Sequence, residues 1–97
     1  MISVLVGNEY GTDVSSRQRA ASLRAAVESY VSENGQVELD FVGVRTISSS
    51  FADELFGILV ASHGDTWFRD HVRVVGLTPP LRRIVLESVF NRVGEAV

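Results

Sequence analysis

The stretch Leu39-Asp40-Phe41-Val42-Gly43-Val44-Arg45-Thr46-Ile47-Ser48-Ser49-Ser50-Phe51-Ala52-Asp53-Glu54-Leu55-Phe56 decides the fold. An apolar strand ends at Gly43, and three consecutive serines then open an amphipathic helix whose first turn holds Asp53 and Glu54. Hydroxyls, backbone N–H groups and negative charge therefore meet at one strand-to-helix junction. In open α/β sheets ligands bind at the carboxyl ends of strands, so this junction is the candidate functional site.

Outward from it, residues 37–42 alternate as a strand, with Val37, Leu39 and Phe41 on one face and Glu38, Asp40 and Val42 on the other. Residues 51–62 read as a helix with Phe51, Leu55, Ile58 and Leu59 on its main apolar face, broadened by Phe56 and Val60 and ended by Gly64. Towards the N-terminus, Ala20, Leu23, Val27, Tyr30 and Val31 recur at helical spacing. Ser15 or Ser16 is placed to cap that helix, and Asn34-Gly35 stops it. Residues 2–6 form a first strand, closed by the loop composition of residues 7–11.

Towards the C-terminus, residues 72–76 form a third strand, and Thr78-Pro79-Pro80 starts a helix that carries Leu81, Ile84, Val85, Leu86 and Val89 and frays near Gly94. The order βαβαβα requires crossover connections, which are right-handed almost without exception. The expectation is a single small α/β domain with a mostly parallel sheet, strand order 1-2-3, and flanking helices.

The 97 residues suffice for one domain, and the 45% apolar and 22% charged composition is that of a globular protein. With no cysteine, disulfides, thiol nucleophiles and cysteine-ligated zinc are excluded. A net charge of −3 without clustered Lys and Arg argues against nucleic acid as a ligand. No apolar run approaches the ~20 residues of a membrane span, and residues 1–6 are too short for a secretory leader, so the expected location is the cytoplasm.

The Asp-Phe-x-Gly-Val and Ser-Ser-Phe-Ala-Asp-Glu-Leu-Phe signatures, the arginine-bearing first helix and Thr-Pro-Pro-Leu-Arg-Arg-Ile together resemble the STAS domains of anti-sigma factor antagonists. They are more similar still to a STAS-like family of unknown function. The resemblance spans essentially the whole chain. It implies a binding partner that is an ATP-binding protein of the GHKL type, acting as kinase and anti-sigma factor, and a phosphoacceptor serine after the central strand. Ser48 stands at the position of the relatives' aspartate, Ser49 at the phosphoacceptor, Ser50 at the next serine and Phe51 at a glycine. The departures at Ser48 and Phe51 remove an acidic group and add bulk.

Chemistry of the residues weighs on that assignment. A phosphate on Ser49 gains from the helix start, whereas Asp53 and Glu54 oppose it: like charges at about 4 Å repel by ~1 kcal/mol in water and ~4 kcal/mol near a protein surface. Arg45 offsets this if it reaches back to the turn. Independently of any function, Ser50-Phe51-Ala52-Asp53 matches a capping box worth about 1 kcal/mol. The expected partner-binding residues are Arg45, Ser48, Ser49, Asp53 and Glu54, with Ser49 the first phosphoacceptor candidate and Ser48 and Ser50 behind it.

Other constellations are weaker. Ser62, His63 and Asp65 lie together at a helix end but lack the logic of a catalytic triad, and His63 and His71 lack metal-ligand spacing. No glycine-rich phosphate loop follows a strand, and no cofactor is expected. Trp67 and Phe68 read as a core lid, Arg82 and Arg83 as a solvated face, and Arg17 as a solvated residue whose contact role the resemblance favours. The expected function is a non-enzymatic regulatory or adaptor domain binding a protein. The alternatives are a small-ligand or nucleotide binder using a crevice of Asp40, Arg45 and Ser48, and a self-assembling homodimer formed through a bare sheet face.

Overall fold

The computed structural model describes residues 1–93, the side chain of Val93 excepted, so the fraying expected near Gly94 lies outside the described residues. Strands β1 (Ile2–Leu5), β3 (Val37–Asp40) and β5 (Val72–Val75) form one parallel sheet in the order β1-β3-β5, which is the expected 1-2-3 arrangement. The register aligns Val4 with Leu39 and Val74, and Ser3 with Glu38 and Arg73. Because successive side chains alternate, these rows fall on opposite faces. The apolar row meets the helices. On the other face Ser3 donates to Glu38 Oε1 at 3.2 Å, and Arg73 Nε lies 3.6 Å from Glu38 Oε2. That face is bare, as the homodimer alternative requires, but a polar row crosses it.

Helix α2 (Arg17–Asn34) begins at Ser16, whose hydroxyl accepts from Arg19 N–H. It ends at Gly35, whose left-handed conformation lets its N–H close on the Val31 carbonyl. Ala20, Leu23, Val27 and Val31 are buried as the spacing predicts, while Tyr30 is only half-buried. Helix α6 (Pro79–Val93) begins with proline at its first position, and Arg82 N–H donates to the Thr78 carbonyl. It packs on the middle helix rather than across the bare sheet face. Among the described residues no helix is long and apolar enough to cross a membrane.

The middle helix is continuous from Ser49 but not uniform: α3 (Ser49–Ala52) and α4 (Ile58–His63) flank a π-helical segment, Asp53–Gly57. Phe51, Ala52, Leu55, Phe56, Gly57, Leu59 and Val60 are all buried, whereas Ile58, expected on the main apolar face, is only partly so. Burial on so many sides follows from position, with α2 on one flank and α6 on the other. Phe41 and Phe56 meet at 5.9 Å, and Phe68 stands edge-on to Phe56 at 6.0 Å, so Phe68 closes the core as a lid.

Local composition misses three features. Helix α1 (Val6–Tyr10) replaces the loop expected there: Val6 is fully buried, and a Cβ on Gly7 would lie 3.3 Å from the Val42 carbonyl oxygen. Packing thus outweighs the low helix propensity of Gly7-Asn8. Helix α5 (Asp65–His71) directly follows Gly64, with Trp67 and Phe68 packed on the core. Two-residue strands β2 (Asp13–Val14) and β4 (Thr46–Ile47) pair in parallel as a second sheet too short to leave a periodicity.

Gly76 ends β5 with φ +79°, and an added Cβ there would sit 2.6 Å from the Val42 backbone nitrogen and 2.9 Å from Asp40 Oδ1. Backbone cannot yield as a flexible side chain does. Gly76→Ala should therefore lower unfolding stability by about 3 kcal/mol, from left-handed strain plus overpacking. Urea denaturation should show a lower midpoint at unchanged slope.

Candidate functional site

The corner between β3 and α3 is fastened at both ends. Asp40 Oδ1 accepts from Val42 N–H at 2.9 Å, turning the chain as it leaves the sheet. Arg45 and Thr46 N–H groups both donate to the Thr12 carbonyl, and Ser48 N–H donates to that of Val14. Asp13 takes Arg45 Nη2 and Thr46 Oγ1, each at 2.9 Å, and the Thr46 and Arg45 hydrogen bonds hold its carboxyl below the usual range. Arg45 therefore turns to the β2 loop and not back to the serines, so the condition under which it would offset a phosphate there is not met. Its side chain is 74% exposed.

The helix cap is also a correction. Ser48, not Ser50, caps the middle helix: its hydroxyl accepts from Phe51 N–H at 3.0 Å and donates to the Ser15 carbonyl at 3.0 Å. The sequence contains two overlapping Ser-x-x patterns, and the pairing of β4 with β2 selects the earlier one. Asp53 is thereby freed from the capping role. Ser50 lies inside α3 and is partly buried.

Asp53 and Glu54 are held by three arginines from two helices. Arg92 of α6 forks onto Asp53, with Nε to Oδ1 and Nη2 to Oδ2 each at 2.9 Å. Arg24 of α2 donates to Glu54 Oε2 at 2.6 Å and also to the Glu54 backbone carbonyl. Arg17 spans both, at 3.4 Å from Asp53 Oδ2 and 3.3 Å from Glu54 Oε1. The π-turn explains the backbone contact. Ile58 N–H donates to the carbonyls of Asp53 and Leu55 and not to that of Glu54, and Arg24 supplies a donor there. The Arg92 hydrogen bonds hold the Asp53 carboxyl below its usual range, and those of Arg24 do the same for Glu54.

Gly57 lets α6 approach. A Cβ at that position would lie 2.7 Å from Asp53 Oδ1, 3.0 Å from Arg92 Cγ and 3.4 Å from the Ser88 carbonyl oxygen. Ser88 is buried opposite, its hydroxyl bonded to the Ile84 carbonyl. Sequence reading treats Asp53 and Glu54 as outward carboxylates and Gly57 as unremarked; Arg24, near the spacing of the buried face, and Arg92 are the signals that locate their partners.

Ser49 is exposed, and its hydroxyl has no hydrogen-bond partner among the described residues. It borders a cleft of about 230 Å³ between α3 and α6 that also takes in Arg17, Asp53 and Glu87. Asp40, Arg45 and Ser48 each engage a different neighbour, and the principal clefts are lined by other residues. His63 pairs with Glu28 at 2.7 Å and stacks on Trp67 at 4.0 Å, Asp65 pairs with Arg69, and His71 bonds the Gly35 carbonyl, so Ser62, His63 and Asp65 make no triad. Among the described residues no three His, Cys, Asp or Glu side chains gather as a metal site.

Three parallel strands with helices on one face and a serine-lined corner at the strand ends define a small α/β domain of STAS-like architecture. A family model described as a STAS-like domain of unknown function (DUF4325) matches residues 19–82, and the chain belongs to that family. The match includes Arg24, the three serines, Asp53 and Glu54, and leaves Arg17 and Arg92 outside. No curated protein and no solved structure matches the chain.

Two measurements probe the clamp. Because the folded-state pKa of Asp53 is depressed, its contribution is present above the unfolded carboxylate range near ~4 and is lost as pH falls through the folded value. Asp53→Asn should cost about 1 to 2 kcal/mol at neutral pH and flatten the acid limb of a stability–pH profile below about pH 4. Gly57→Ala gains ~1 kcal/mol of helix propensity but displaces a charge-assisted pair worth ~1.5 to 3 kcal/mol. It should destabilise by about 1 kcal/mol in urea titrations, and in an Asp53→Ala background the cost should vanish.

Proposed function

We propose that the domain acts by binding a protein partner through the corner of residues 42–50, as a regulatory switch or adaptor with no chemistry of its own. One observation carries the reading: of the three serines, only Ser49 is exposed, and its hydroxyl has no partner among the described residues. Ser48 is consumed by the cap. Elsewhere along the corner Val42, 70% exposed, and Arg45, 74% exposed, offer apolar and cationic surface on a backbone fixed by the β2–β4 pairing. A rigid, exposed loop of mixed chemistry suits macromolecular recognition.

The partner class rests on the resemblance of the serine-turn and Asp-Phe-x-Gly-Val signatures to the STAS domains of anti-sigma factor antagonists: an ATP-binding protein of the GHKL type that also phosphorylates Ser49. In that step Ser49 Oγ bonds to the γ-phosphorus of ATP as the bond to ADP breaks, and the hydroxyl proton passes to the kinase's base. The product carries about −1.5 to −2 additional charge at the corner, enough to repel an acidic surface or recruit a basic one. Asp53 and Glu54 do not contact the partner in this reading. They position the helix that presents Ser49, and their arginines soften the repulsion that the carboxylates alone would exert on a phosphate.

The test is reconstitution with GHKL-type proteins from the same genome and ATP, followed by intact-mass measurement and calorimetry. A single phosphoryl adduct should form, disappear in Ser49→Ala and persist in Ser50→Ala. Ser49→Asp should change affinity by about tenfold or more and Ser49→Ala by less. Equal binding of wild type and both Ser49 variants would falsify the switch.

A further inference from the structure

Three guanidinium groups meet two carboxylates at the π segment. Arg92 holds Asp53 through both oxygens and Arg24 holds Glu54 at 2.6 Å, so each carboxylate keeps a short, charge-assisted partner without Arg17. Arg17 is the loosest member. Its contacts are the longest of the set, 3.3 and 3.4 Å, and its side chain is 55% exposed against 22% for Arg24 and 26% for Arg92. It also borders the cleft that Ser49 borders, so the least committed cation shares one surface hollow with Ser49, the exposed one of the two serines that line it, Ser50 being partly buried.

We propose that Arg17 is a built-in receiver for a phosphoryl group on Ser49, leaving Asp53 and Glu54 to Arg92 and Arg24 when it turns to the phosphate. The inference rests on the reading of Ser49 as the acceptor. A guanidinium fork matches two phosphate oxygens and forms charge-assisted bonds that its long carboxylate contacts do not equal. The exchange leaves no carboxylate unpaired, because the two short ion pairs remain. Two acidic groups border the same cleft: Asp53, compensated by Arg92, and Glu87 on α6, which is exposed and has no ion-pair partner among the described residues. Glu87 opposes the phosphate and sets the limit on how firmly it is held.

The consequence is a switch that acts at the surface and spares the core. With its phosphate tied to the first turn of α2, the corner presents a partly neutralised, fixed group instead of a mobile dianion. A partner reading Ser49 then senses the Arg17 side chain as well.

The test uses the full chain with phosphoserine genetically encoded at position 49, so that no kinase is needed, and follows the second phosphate ionisation by phosphorus NMR. A nearby cation favours the dianion, so that ionisation should fall about half a pH unit lower with Arg17 present than in Arg17→Gln, with Arg17→Lys between them. Glu87→Gln should lower it further. Arg45→Gln, which removes an equal charge turned towards Asp13, should leave it unmoved. An Arg17→Gln titration superimposable on that of the parent overturns the proposal, and so does an equal shift from Arg45→Gln. A clear Arg17 effect on the encoded phosphoserine, combined with no phosphorylation by any GHKL-type protein, sustains the receiver and sinks the acceptor reading instead.

Discussion

The pairing of Asp53 with Arg92, made from opposite sides of the glycine gap at Gly57, is the constraint on which the helical layer depends. It fixes α6 against the widest turn of the middle helix. Arg24 and Arg17 perform the corresponding task for α2, so charge as well as apolar contact holds three helices together. Partly buried, hydrogen-bonded pairs of this kind specify one arrangement more than they add net stability, because desolvation consumes much of the attraction. The glycine, the buried serine opposite and the π-turn form one device with the ion pairs: small residues admit the helix, and the wide turn spreads the two acids towards different partners.

That device also governs what the corner presents. Had Asp53 capped the helix and Glu54 faced water, the serines would lie in a negative field, unfavourable for an added phosphate. Instead the carboxylates turn inward to arginines, while Ser48 is spent on the cap and the Ser15 carbonyl. What remains outward is one hydroxyl, one valine and one arginine on a backbone anchored through β2. The chemistry on display is thus defined by what the interior has already taken.

Much of this architecture is legible in the chain. The parallel order, the bounds of α2 from Ser16 to Gly35, the proline start of α6 and the apolar row of β3 each follow from strong local signals: capping side chains, a left-handed glycine, prolines and strict alternation. The candidate site is legible only as a location. Periodicity identifies the serine turn and the acids beyond it, but a list of residues does not say which serine caps or which arginine, 30 to 39 positions away, meets which carboxylate. Those choices depend on long-range pairing. The same holds for β2 and β4, which are strands only because they find each other, and for α1, where burial of Val6 outweighs Gly7 and Asn8.

By itself the sequence determined the class of the fold, the family and the corner at which recognition is sought, because alternation, caps and breakers act between near neighbours and require no knowledge of the rest of the molecule. Only the tertiary structure decided that Ser48 caps, that Ser49 stays exposed, that Arg45 turns away and that Asp53 and Glu54 face arginines of the flanking helices. The physical reason is competition: each polar group had several partners within reach of its chemistry, and the packing of α2 and α6 on the middle helix determined which partner came within hydrogen-bonding distance.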